Sequence, residues 1–122
     1  MDARLRDGIR LFNGRQFFAS HEVLEHFYQD TESENKPFLE GLIQLAAAFR
    51  MFSDFGEVKG PVRMINQALI RLENFQPAFL QVRVKDLCQA AEAWAKAAAA
   101  ANAGPSTDTI PKIQLQRFSF FS

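Results

Sequence analysis

Between positions 37 and 52 the chain reads Pro-Phe-Leu-Glu-Gly-Leu-Ile-Gln-Leu-Ala-Ala-Ala-Phe-Arg-Met-Phe, and no other stretch restricts the possible folds as strongly. Wound as a helix, it carries Phe38, Leu42, Leu45 and Phe49 on one face, while Leu39, Ile43, Ala47 and Met51 spread around the other. A helix that is apolar on nearly every side has to be surrounded by other elements, so this one belongs at the centre of its domain. Gly41 and the alanines at 46–48 leave room for neighbouring backbones to come close. Pro37 suits the first turn, where its missing N–H costs nothing.

The flanking patterns supply the neighbours. Leu5, Ile9 and Phe12 recur at helical spacing, predicting a short helix over about 3–12 that Asn13-Gly14 ends in a left-handed turn. A second helix is expected over about 15–29, with Phe17, Leu24, Phe27 and Tyr28 on its inner half. Gly60-Pro61 opens a fourth, where Val62, Ile65, Leu69 and Leu72 form an amphipathic stripe. The last is expected over about 78–101, with Leu80, Val84, Leu87, Ala91, Trp94 and Ala98 on one side, until Gly104-Pro105 stops it. Beyond it, residues 110–116 alternate apolar and polar, the pattern of an extended segment laid along the bundle. The terminal Phe118-Ser119-Phe120-Phe121 is apolar enough to need cover, from the domain itself or from a partner subunit. The fold class is therefore all-α: a compact single-domain bundle of about five helices, with a central apolar helix and an extended C-terminal tail. The bundle is assigned to residues 1–104 and the tail to 105–122.

Composition narrows the function classes. A chain of 122 residues can bury a core without metals or disulfides. Its 13 phenylalanines imply an aromatic interior. Fourteen basic and fourteen acidic residues balance, which argues against a nucleic-acid partner. Cys88 is the single cysteine, which rules out an intramolecular disulfide and a cysteine-based zinc site. No apolar run reaches the ~18–20 residues of a membrane span, and the mixed charge at positions 1–7 is unlike a signal peptide. A cytoplasmic location is expected.

The residues that could carry chemistry lie in His21-Glu22-Val23-Leu24-Glu25 and in Gly41-Leu42-Ile43-Gln44. On a helix His21 and Glu25 are one turn apart, on the side that holds Phe17, Leu24 and Tyr28, whereas Glu22 and His26 face the other way. Gln44 is an amide on the otherwise apolar central helix. Buried polar groups need partners, which suggests that the two segments meet. Such a cluster could simply be a satisfied polar core that sets how the second and third helices pack. It could also be the floor of a small-ligand pocket. As a metal site, His21 and Glu25 are two candidate ligands, and a third would have to come from Glu40 or Gln44. The likeness of His-Glu-x-x-Glu to the zincin helix is slight, because the last position is a carboxylate and not a second imidazole. No cofactor is expected. No nucleophile, phosphate-cradling loop or oxyanion hole is recognisable.

Phe12-Asn13-Gly14 leading into Phe17-Phe18-Ala19-x-His21-Glu22-Val23-Leu24-Glu25, followed by Phe38-Leu39-x-Gly41-Leu42-Ile43-Gln44-Leu45-Ala46-Ala47-Ala48, resembles the domain-of-unknown-function 309 family of small helical proteins. The resemblance covers positions from about 5 to 75, and Gly60 with its amphipathic helix fits it too. It implies a compact helical bundle and no established activity, substrate or cofactor. It also marks His21, Glu22, Glu25, Gly41 and Gln44 as the candidate functional residues. Family members often carry Trp shortly after the second Glu, where this chain has Phe27-Tyr28. The resulting expectation is a non-enzymatic module that binds a small molecule or a protein, with no membrane role and with the C-terminal tail available for a homodimer contact. The alternative is a metal-dependent, hydrolase-like enzyme using His21 and Glu25.

Overall fold

The computed structural model describes residues 1–101 and 105–117. Those residues contain five α-helices and no strand: α1 (Ala3–Asn13), α2 (Phe17–Asp30), α3 (Lys36–Phe55), α4 (Lys59–Leu72) and α5 (Val84–Ala101). Helix α3 is the central element, packed between α2 and α4, with α1 outside α2 and α5 outside α4. Nine of its residues are buried, among them Phe38, Leu42, Leu45 and Phe49 on one side and Leu39 and Ile43 on the other. No helix is long and apolar enough among the described residues to cross a membrane.

Local chemistry explains most of the boundaries. Asp2 caps α1 by accepting the Arg4 N–H at 2.8 Å, which satisfies one of the orphan donors of the first turn. Helix α3 runs three residues beyond the expected end and stops at Gly56, whose φ of +69° is the left-handed cap. There the N–H groups of Gly56 and Glu57 return to the carbonyls of Phe52 and Met51. The turn after α1 differs from expectation. Gly14 keeps a φ of −85°, and the left-handed conformation falls on Arg15 at +65°. Helix α2 accordingly begins at Phe17.

Two close approaches set the helix packing. A Cβ on Gly41 would lie 2.7 Å from Cγ and Cδ2 of Leu72, so α3 and α4 touch at the glycine. A Cβ on Gly8 would lie 2.5 Å from Cδ2 of Leu24, and the buried Ser20 hydroxyl donates to the Gly8 carbonyl at 2.7 Å. The aromatic core spans several helices. Phe12 and Phe17 meet edge to face at 5.1 Å, both reach Phe49 within 6 Å, and Phe49 and Phe52 pack on Trp94 at 5.1 and 4.9 Å.

The last helix begins at Val84, not near 78, so Leu80 is not on its stripe. Phe75 and Phe79 pack on Phe38 at 5.5 and 5.1 Å, which holds the chain over the first turns of α3. A tight turn follows, closed by paired bonds between Phe79 and Val82. Its two central residues, Leu80 and Gln81, both take positive φ, as a type I′ turn requires. This turn receives the extended segment. The Arg83 N–H donates to the Gln114 carbonyl at 2.9 Å, and the Gln116 N–H donates to the Gln81 carbonyl at 2.8 Å. Further back, the Asn13 side chain brackets Ile113, donating to its carbonyl at 2.9 Å and accepting its N–H at 2.7 Å. Ile110 and Ile113 are buried beneath. The aromatic terminus at 118–121, singled out in the sequence, lies outside the described residues.

Candidate functional site

The polar residues that interrupt the buried faces of α2 and α3 line two adjoining grooves. On α2 the buried stripe is Phe17, Ser20, Leu24 and Phe27, so Phe18, His21, Glu25 and Tyr28 fall on its edge, where solvent and core meet. His21 and Glu25 are therefore not on the buried side that their spacing suggested. His21 retains 30% side-chain exposure, Glu25 44% and Glu22 61%. The imidazole stands between the two acids. Its Nε2 is 4.0 Å from Oε1 of Glu25, and its Nδ1 is 3.7 Å from Oε1 of Glu22. Both separations exceed a hydrogen bond, so charge alone couples the three groups when the ring is protonated.

Gln44 makes its bonds elsewhere. Its Oε1 accepts from Nη1 of Arg71 at 2.8 Å, and its Nε2 stands 3.5 Å from Oε1 of Gln67, both on α4. Arg71 also donates through Nε to Oε2 of Glu40 at 3.1 Å, and the other Glu40 oxygen accepts the Tyr28 hydroxyl at 2.8 Å. A chain Tyr28–Glu40–Arg71–Gln44 therefore ties α2, α3 and α4 together across one surface. The cleft it borders holds about 270 Å³ and is lined by Glu25, Tyr28, Glu40, Ile43, Gln44 and Arg71. Hydrogen bonding to Glu40, then burial, then the charges of Glu40 and Glu25 raise the Tyr28 phenol above its usual value. The hydroxyl thus remains a donor at neutral pH. Lys36 lies over the same ring at 4.9 Å.

His21 occupies the neighbouring groove, of about 220 Å³, with Phe18, Glu22, Ala47, Arg50, Met51 and Phe55. Arg50 is stacked there on Phe18 at 4.3 Å. Thus Glu25 and Gln44 share a cleft, His21 and Glu22 share the next, and no hydrogen bond joins His21 to Gln44. Gly41 lines neither, because its surface is covered by Leu72 and Ala68.

Tyr28, Glu40 and Arg71 complete the constellation. Glu40 and Gln44 are spaced i,i+4 on an otherwise apolar helix, a repeat of polar interruptions that reads as one polar stripe. Tyr28 continues the His21-Glu25 edge one turn on. Arg71 carries no comparable signal, since it arrives from α4 only when the helices pack. The donor set is a poor cradle for a cation. Glu40 is neutralised by Arg71, and no group of three His, Cys, Asp or Glu side chains converges among the described residues. The arrangement offers instead a hydrogen-bonded rim of donors and acceptors beside an apolar floor at Ile43, suited to orienting a polar ligand.

This geometry lies in the stretch that a family model recognises. Residues 5–64, from α1 into α4, match the family described as Domain of unknown function (DUF309). Arg71 falls beyond the matched residues. No curated protein and no solved structure matches the chain.

Proposed function

We propose that this chain is a non-enzymatic binding module, cytoplasmic in setting, that takes a small polar ligand or a polar side chain of a partner protein in the cleft between α2, α3 and α4. The observation that carries this reading is the bonded rim Tyr28–Glu40–Arg71–Gln44 around an open, apolar-floored cleft. Its side chains are held by one another, so little ordering remains to oppose binding. Glu25 has no close hydrogen-bond partner among the described residues and is the acceptor free to meet a ligand's N–H or O–H. His21 stands one turn away, its Nε2 4.0 Å from the Glu25 carboxylate. The metal-dependent, hydrolase-like alternative needs a third ligand converging with His21 and Glu25; Glu22 lies at the other ring nitrogen and Glu40 is bonded to Arg71 and Tyr28, which disfavours it.

A screen of small amines, amides and amino-acid derivatives by protein-observed NMR tests the reading. Saturable shifts at Glu25, Gln44 and Arg71 that vanish in Glu25→Gln and Gln44→Ala are expected. Hits confined to other surfaces would overturn it. Elemental analysis of protein purified without chelator checks the alternative, which demands near-stoichiometric metal that is lost in His21→Ala.

A further inference from the structure

Another cleft shares no side chain with the proposed site. It holds about 440 Å³ and is lined by Pro77, Ala78, Arg83, Lys85, Asp86, Gln116 and Arg117. Three of these residues are cations and one is an anion. The anion, Asp86, is held by Arg83 at 2.6 Å, while Lys85 and Arg117 make no ion pair among the described residues. In a chain whose charges sum to zero this is a local excess of two positive charges.

The walls are fixed by backbone bonds. The Lys85 N–H donates to the Pro77 carbonyl at 3.1 Å, the Arg83 N–H to Gln114 at 2.9 Å, and the Gln116 N–H to Gln81 at 2.8 Å. The first turn of the 18-residue helix α5 thus brings Lys85 to the cleft, and the extended segment brings Arg117 to it. Cations from two separate parts of the chain line one concavity. A multiply charged anion there relieves their mutual repulsion and accepts charge-assisted hydrogen bonds from both.

We propose that this cleft binds a small phosphorylated molecule, with Lys85 and Arg117 taking the phosphate oxygens and Arg83, anchored by Asp86, adding a third donor. Carboxylate ligands of one charge fit the excess of positive charge less well than a phosphate or diphosphate does.

Pyrophosphate is the probe, titrated into the full chain at low ionic strength and followed by calorimetry and amide shifts. Saturable binding is expected, with shifts centred on residues 83–86 and 116–117. Lys85→Gln and Arg117→Gln should each weaken it about tenfold, the usual loss for a charge-assisted contact. Arg63→Gln removes an exposed cation of α4 outside the cleft and should leave affinity within about twofold, as expected of a screened surface charge. Circular dichroism confirms that each exposed-site variant is folded. Binding that does not saturate, or that falls as much with Arg63→Gln as with Lys85→Gln, overturns the proposal. So does an oligonucleotide that binds this face when pyrophosphate does not. The readouts at Glu25 and Gln44 are separate, so either site can fail alone.

Discussion

Single side chains decide much of the packing here, and their effects can be measured one at a time. Asn13 both donates to and accepts from Ile113, 100 positions away, so Asn13→Ala removes two part-buried bonds. A loss of about 1–2 kcal/mol in chemical denaturation is expected. Gly41→Ala drives a methyl into Leu72, which is fully buried, and should cost about 1–3 kcal/mol. That result would mark Gly41 as a packing residue, although the family resemblance places it among the functional ones. Tyr28 gives a pH test. Its phenol should titrate above the ordinary value of 10.0, and Glu40→Gln should bring it down in an absorbance titration. Because the folded phenol holds its proton more tightly than the unfolded one, its stabilising contribution is full below pH 10 and is lost as pH rises through the folded value. The identity of the polar residues near the site was readable from helical spacing alone for His21, Glu25, Glu40 and Gln44. The partner of Gln44 was not. Arg71 is an ordinary basic residue at the end of an amphipathic helix until tertiary packing sets it against α3.

Among the elements, α3 was the most legible and the start of α5 the least. A helix apolar on both faces has few places to go, and the observed α3 is buried along its whole middle. The segment at 76–83 keeps apolar residues at helical intervals, yet it forms a turn. Phe75 and Phe79 gain more by covering Phe38 than a helical register allows, and Val82 is drawn to Leu115. Spacing within a segment says nothing about a contact with another segment some 30 positions away, which is why periodicity overran here. The extended segment is the counterpart of that turn. Removing residues 110–122 takes away buried Ile110 and Ile113 and uncovers the apolar surface beneath them. A lower melting temperature and stronger binding of a hydrophobic dye are expected. A truncated chain with unchanged melting would show that the segment adds nothing to the bundle.

For the whole molecule, the aromatic core is the main cohesive feature and the two polar clefts are carved into its margins. Phe49 joins Phe12, Phe17 and Trp94 and is fully buried, so Phe49→Ala should cost about 3–5 kcal/mol. Phe55 is 63% exposed at the end of α3, and Phe55→Ala should stay within about 0.5 kcal/mol. Equal losses at the two positions would contradict the description of the core. By itself the sequence determined the helical class, the central place of α3 and the side of α2 that carries His21 and Glu25. Each of these follows from periodicity and propensity, which act over a few neighbouring residues. Only the tertiary structure decided that Gln44 pairs with Arg71 and not His21, that Gly41 is covered by Leu72, and that Lys85 and Arg117 line one cleft. Those outcomes depend on which helices come together and at what angle, and that choice is made by the packing of the whole core.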